Sequence, residues 1–377
     1  MQNREFIGCG SSYSLGSILN DLGVQKIFLV SGNGSFSSIQ EKYDLNKTLE
    51  KYAVRRFFDY SSNPNLDDVI EGIGLFKQFD PDIVLSIGGG SAIDMGKLIN
   101  ALSAQDTVDY ENIIETNNIV NVGLPFIAIP TTSGTGSEST HFAAIFINGN
   151  KFSLSHETML PAITIIDPEL TYSMPSYLAA CTGMDALSQA VESFWAKSSS
   201  KESKAFAKEA IELILNSIED AVCRKEKKAM IAMSIASNLS GKAINISKTT
   251  APHALSYGLT EKFQIPHGHA VSLSMGRFFI INSSFDPKIL SENLNMSDHQ
   301  ETMEQLFNLF GAADAKDCCE KWNAIMDKIG LERSFSKLGV LKQEEIDSLV
   351  DNVNMERLGN NPVSVSRETL AEVFSED

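Results

Sequence analysis

Several kinds of residue and segment are scarce in this 377-residue chain, and each scarcity excludes something. No uncharged apolar run approaches the roughly 20 residues needed to span a bilayer. The opening stretch, MQNREFIGCGSSYSLG, lacks the basic and apolar segments of a secretory signal, so a cytoplasmic location is expected. Cysteine is sparse and unpatterned. The five residues Cys9, Cys181, Cys223, Cys318 and Cys319 are odd in number and form no CxxC pair, which fits reduced thiols better than a disulfide framework. Positive charge is also short: 31 Lys and Arg face 48 Asp and Glu, for a net charge of −17. Nucleic acid and anionic membrane are thereby disfavoured as partners, and an anionic small substrate needs a local lysine or arginine cluster. A mean hydropathy of −0.07 places the remainder among ordinary globular chains, and the length calls for two domains.

The first part alternates strand and helix signals. Residues 26–30 (KIFLV), 53–58 (AVRRFF), 82–88 (DIVLSIG) and 125–130 (PFIAIP) read as strands, with helix-length segments at 66–79 and 91–104. Several strands are continuous apolar runs, as expected where both faces are covered. This alternation predicts a parallel sheet with crossover helices. A β-rich patch at 141–155 carries NGN as its turn signal, and AITIIDP (162–168) closes this half. The polar stretch 109–118 reads as a surface excursion. From about Met174 helical periodicity takes over, at 175–196, 201–223 and 225–246. The expectation is an α/β domain over 1–173 and an all-helical domain over 174–377.

Two glycine turns sit where a nucleotide would bind. SIGGGSAIDMGK (86–97) places Gly88, Gly89 and Gly90 between an apolar strand and a helix starting near Ser91; IPTTSGTGSE (129–138) follows the next strand. Glycines let backbone approach a diphosphate, and a helix N-terminus favours its charge. A lone glycine turn is usually only a tight connection, but two after consecutive apolar strands point to a phosphate-bearing cofactor. SGNGSF (31–36) only half resembles GxGxxG and has no acidic residue at the strand end for a ribose 2′-hydroxyl, which favours NADP(H) over NAD(H).

In the helical half, APHALSYGLTEKFQIPHGHA (251–270) gathers His253, His267 and His269, three of only six histidines. A histidine on a helix is usually a packed or surface residue, but two histidines with Asp185 in GMDALSQAVE (183–192) could supply three ligands for a divalent ion, with room for a substrate oxygen. Gln189, four residues after Asp185, shares its helix face.

GGGSAIDMGK, PTTSGTGSE, GMDALSQAVE and HALSYGLTEKFQIPHG together resemble the iron-containing (group III) alcohol dehydrogenase family, from the first strand to at least residue 280. The resemblance implies reduction of aldehydes or oxidation of alcohols with NAD(P)(H), one divalent ion, iron(II) before zinc, and a homo-oligomer of at least two subunits. It assigns Gly88, Gly89, Gly90, Ser91 and Asp94, with Thr131, Thr132, Ser133 and Thr135, to the cofactor. Asp185, His253 and His267 match three metal ligands; the remaining ligand position, usually histidine, is Gln189. A further histidine, common four residues after His253, is Tyr257 here. Tyr257 and His269 are the candidates for proton delivery, and Lys97 is either a surface residue or a phosphate contact. Within the family these segments look most like the phosphonoacetaldehyde reductase (2-hydroxyethylphosphonate dehydrogenase) branch, which implies phosphonate metabolism. Lys242 and Lys248, where relatives carry mostly small or neutral residues, are the expected anion pocket. The rival readings are a reductase for a neutral aldehyde or ketone, a non-redox relative of the dehydroquinate synthase type, and a silent nucleotide-binding protein whose metal site has decayed to Gln189.

Overall fold

The computed structural model describes residues 3–40, 43–148, 150–340 and 342–374. The chain divides into two compact units, Met1–Met174 and Pro175–Asp377.

In the first unit the strands are β1 (Arg4–Ile7), β2 (Lys26–Ser31), β3 (Ala53–Phe57), β4 (Ile83–Gly88), β5 (Phe126–Pro130), β6 (Phe142–Ile147), β7 (Asn150–Ser155) and β8 (Ile163–Ile166). Six of them form one sheet in the order β1-β8-β5-β4-β2-β3, parallel throughout. Its helices are α1 (Leu15–Asp21), α2 (Asn33–Ile39), α3 (Leu45–Leu49), α4 (Leu66–Phe79), α5 (Gly90–Ser103) and α6 (Tyr110–Thr116). The apolar runs follow from burial on both faces. Phe28, Val30, Val84 and Phe126 join one core with residues of α4 and α5, while Ile27, Leu29, Leu85 and Ile127 join a second with residues of α1 and α3.

β6 and β7 pair as an antiparallel hairpin; Gly149 of the expected NGN turn lies outside the described residues. Two elements depart from expectation. β1, too short and half-exposed to show as an apolar run, pairs with β8 at the sheet edge. The polar stretch 109–118 is not a surface excursion but contains α6, capped by Asp109 accepting from Asn112 N, with Tyr110, Ile113 and Ile114 buried.

The second unit is helical: α7 (Ser176–Trp195), α8 (Lys201–Leu215), α9 (Lys227–Ser247), α10 (Ala251–Phe263), α11 (His267–Asn282), α12 (Met296–Phe310), α13 (Ala315–Lys328), α14 (Gln343–Asp351), α15 (Met355–Leu358) and α16 (Arg367–Glu372). The helical pattern of 201–223 breaks after Leu215 and resumes as a π-helical turn at Asp220–Arg224. α7 is packed by α8, α9 and α11 and is buried on every side from Gly183 to Trp195. Polar residues on such a helix require partners or ligands. Among the described residues no helix is long and apolar enough to cross a membrane.

Candidate active site

In the first unit the site grows from strand connectivity. The chain leaves β2 for β3 on one side, then crosses to β4 on the other, so a topological switch point lies between β2 and β4. Ligands of open parallel sheets bind beyond the strand ends at such a point. The loops after β2 and β4 meet there: a Cβ on Gly88 would stand 3.3 Å from Gly32 N and 2.6 Å from Ala92 Cβ. The loop after β5 joins them through Thr131 N, which donates to Gly88 O at 2.9 Å. Gly90 has a different task, since a Cβ there would stand 2.6 Å from Thr135 Oγ1. Its missing side chain lets the two glycine loops close on each other.

These residues fit a diphosphate. The first turn of α5 has no side-chain cap on its N–H groups, and the buried Thr131 hydroxyl has no hydrogen-bond partner among the described residues. Gly89, against which Thr132 packs, and the buried Ser133 stand in the same loops. Ser91 donates its hydroxyl to Ser62 O, and Asp94 accepts from Ala144 N at 3.0 Å, so both have structural work as well. Lys97 has neither of its expected roles. It is fully buried and donates to Thr140 O (2.6 Å), Thr140 Oγ1 (3.0 Å) and Phe142 O (3.0 Å), tying α5 to the start of β6. Burial pushes its ammonium down to about 8, against the upward pull of Asp94 and Glu138.

In the second unit Asp185, His253 and His267 bring one ligand atom each within 4.8 Å of one another. Asp185 comes from the middle of α7, His253 from the first turn of α10, and His267 opens α11. α9 ends at Ser247 with Lys248 at a positive φ of 58°, so the chain breaks before α10, and Pro252 falls in the first turn of α10, where a proline is tolerated. Gly268 sets the spacing. A Cβ there would lie 2.0 Å from Cys181 O and 2.7 Å from Asp185 Cβ, so only glycine lets α11 approach α7 this closely.

Sequence reasoning missed Glu192. It lies seven residues after Asp185, on the same face of α7, and is wholly buried. Its Oε1 accepts from Thr250 N (2.9 Å), Thr250 Oγ1 (3.0 Å) and His253 N (3.2 Å), capping α10. Its Oε2 pairs with His253 Nδ1, which leaves Nε2 facing Asp185 Oδ1 at 3.4 Å. A carboxylate behind an imidazole in this way holds the tautomer and orientation that a metal requires. Burial works against a charge on His253, but Glu192 and Asp185 outweigh it and hold its pKa up to about 10. Two buried carboxylates around one imidazole demand positive charge here, which a proton or a divalent cation supplies. The donor set, one carboxylate oxygen and two imidazoles, suits iron(II) or zinc.

The other sequence candidates distribute unevenly. Tyr257 is brought to the cluster: its ring stacks on His267, with centroids 6.0 Å apart. Gln189 is buried on the same helix, and its Oε1 accepts from Ser240 Oγ at 2.9 Å. His269 is held elsewhere. Its Nε2 donates to Glu332 O at 2.7 Å, Tyr177 lies 3.1 Å from Nδ1, and burial lowers its pKa. Lys242 lies against Phe206, 5.9 Å from its ring centroid, and the exposed Lys248 pairs with Glu356 at 2.5 Å.

The chain matches the iron-containing alcohol dehydrogenase model over residues 3–168 and the C-terminal model of the same family over 179–377. It therefore belongs to the iron-containing alcohol dehydrogenase family. That membership makes it an alcohol dehydrogenase or aldehyde reductase. Long-chain-alcohol dehydrogenase 1 of Geobacillus thermodenitrificans is 32% identical, over 82% of this chain and 78% of its own length. Sulfoacetaldehyde reductase of Bilophila wadsworthia is 28% identical over 96% and 94%. A solved structure, sulfoacetaldehyde reductase of Bifidobacterium kashiwanohense in complex with NAD+, superposes with a TM-score of 0.86 at 28% identity, covering 98% of this chain and 96% of that one.

Proposed function

We propose that the protein reduces a small aldehyde bearing an anionic group to the alcohol with NAD(P)H, phosphonoacetaldehyde to 2-hydroxyethylphosphonate being the leading case. The observation that carries the reductase reading is the convergence of Asp185, His253 and His267, with Glu192 bracing His253 from behind. Asp185, His253 and His267 would hold the metal, and Gln189 borders them on α7. The ion, when bound, would act as a Lewis acid toward the carbonyl oxygen. Glu192 keeps His253 Nε2 directed at that position, and Gly268 keeps His267 within reach of Asp185. The loops at Gly88–Ser91 and Thr131–Thr135 would bind the cofactor diphosphate through backbone and hydroxyl groups, and hydride would pass from the nicotinamide to the aldehyde carbon. Tyr257, stacked on His267, is the proposed source of the proton.

An anionic substrate is supported by likeness to two sulfoacetaldehyde reductases, whose named substrate is a two-carbon aldehyde with a sulfonate. One observation favours the neutral-aldehyde reading instead: Lys242 and Lys248 both have partners outside the metal cluster. Oxidation of NADPH and NADH by the iron(II)-loaded enzyme, with phosphonoacetaldehyde, sulfoacetaldehyde and propanal, separates the readings. Anionic aldehydes are expected to be preferred, with Lys242→Ala lowering activity on them and sparing propanal. A preference for propanal would leave the neutral reading standing. If none of the three aldehydes supports oxidation, even after addition of iron or zinc, the reductase reading ends.

A further inference from the structure

Arg56 has no part in the metal chemistry, yet it is held with unusual care. It sits one residue before the end of β3 and reaches across to the end of β2. Its Nε donates to Ser31 Oγ at 2.8 Å and its Nη2 to Gly32 O at 3.2 Å. Its guanidinium carbon lies 4.5 Å from the ring centroid of Phe36, in α2, and 4.5 Å from that of Phe58. Two hydrogen bonds and two aromatic rings leave the group little freedom. Of the five N–H donors of a guanidinium, two are engaged; the rest have no acceptor among the described residues. No carboxylate pairs with it there either, although the chain carries a net charge of −17. A purely structural clamp between an edge strand and its neighbour does not need uncompensated charge.

The location gives that charge a use. Ser31 ends β2 at the switch point, and Gly32, the next residue, abuts the glycine turn at Gly88. A dinucleotide-binding protein that takes NAD(H) by its ribose diol places a carboxylate at such a strand end, whereas an arginine nearby accommodates a 2′-phosphate. Here the carboxylate is missing and the arginine is present.

We propose that Arg56 selects NADP(H), the free edge of its guanidinium receiving the 2′-phosphate of the adenosine ribose through paired N–H donors. The inference rests on the nicotinamide-cofactor reading above, but adenosine fragments test it without catalysis. Calorimetric titration of the full chain with adenosine 2′,5′-diphosphate and with 5′-AMP isolates the 2′-phosphate. The diphosphate is expected to bind at least about tenfold more tightly, as a charge-assisted hydrogen-bonded pair warrants. Arg56→Gln should reduce that preference to within about threefold while the 5′-AMP dissociation constant moves little, with thermal melting as the fold control. If Arg56→Gln does not fold, Arg56→Lys decides, because it keeps the charge and loses the planar fork; a reduced but measurable preference is expected. Equal binding of the two fragments by the wild type, equal weakening of both in Arg56→Gln, or an undiminished preference in Arg56→Lys overturns the proposal. Aldehyde reduction with NADH would still stand in any of those cases, so the failure would belong to Arg56 alone.

Discussion

The candidate cofactor site of the first unit is a meeting of loop backbones, whereas the candidate metal site of the second is a meeting of side chains. In the first, Gly88 and Gly90 act through what they lack, since each absent Cβ makes room for a neighbouring loop or side chain. In the second, Asp185, Gln189 and Glu192 project from one face of a helix buried on every side; Gln189 and Glu192 have named hydrogen-bond partners, while Asp185 Oδ1 faces His253 Nε2 at 3.4 Å. The difference teaches where precision comes from. Loops are positioned by the fit of their neighbours, while ligands on α7 are positioned by a rigid helix with capping and hydrogen bonds behind them.

The largest expected effect tests the side-chain site directly. Asp185→Asn should lower kcat/KM by about a thousandfold or more, as loss of metal-assisted charge stabilisation worth several kcal/mol implies, and metal analysis should show the ion depleted. Retention of both metal and activity would remove Asp185 from the site.

The two glycines sharpen the comparison next. Gly268→Ala sets a Cβ against the Cys181 carbonyl, which cannot be trimmed, so a loss of about 3 kcal/mol with weakened metal binding is expected. The three atoms nearest a Cβ in Gly90→Ala all belong to the Thr135 side chain, so a loss of about 1–2 kcal/mol should be largely restored by adding Thr135→Ala. Urea unfolding of the three variants checks both halves; no recovery in the double variant would refute the loop-packing account.

Glu192→Gln should follow, lowering metal affinity by about 10- to 100-fold, because the bracing partner of His253 becomes neutral. Competition with a chelator measures this, and an unchanged affinity would reduce Glu192 to a cap for α10.

The smallest effect concerns Lys97. Burial depresses its folded-state pKa to about 8, from 10.5 in the unfolded chain. Between those values the unfolded state binds more protons, so this residue makes stability rise with pH from about 8 to 10.5 and exacts its full penalty below 8. Urea unfolding of wild type and Lys97→Met at pH 7 to 10 should show a difference that is flat near neutrality and changes above pH 8. A constant difference across the range would argue against the depressed value.

Most of the architecture was legible because burial on both faces writes continuous apolar runs at β2, β4 and β5, and because α7 to α9 carry helical periodicity. β1 was not, since a short half-exposed edge strand has no such run. α6 was hidden by its polar face. At the site, Asp185, His253 and His267 could be paired from motif resemblance, and Tyr257 stands beside them as a ring stacked on His267. Glu192 had a signal that went unused, a carboxylate sharing the Asp185 face of a helix with little polar surface. The partners of His269 and Lys97 carried none, because Glu332 O and Thr140 O are backbone acceptors that any residue offers.

The sequence by itself determined the alternation of strands and helices, the glycine turns, the ligand types at Asp185, His253 and His267, and the missing acid after β2, because these are properties of local pattern and residue chemistry. The tertiary structure decided which of those residues act together. It set Glu192 behind His253, turned Lys248 toward Glu356, buried Lys97 under Thr140, and carried Arg56 from β3 to the end of β2. Such pairings depend on close packing between segments far apart in the chain, and a linear pattern does not record that distance.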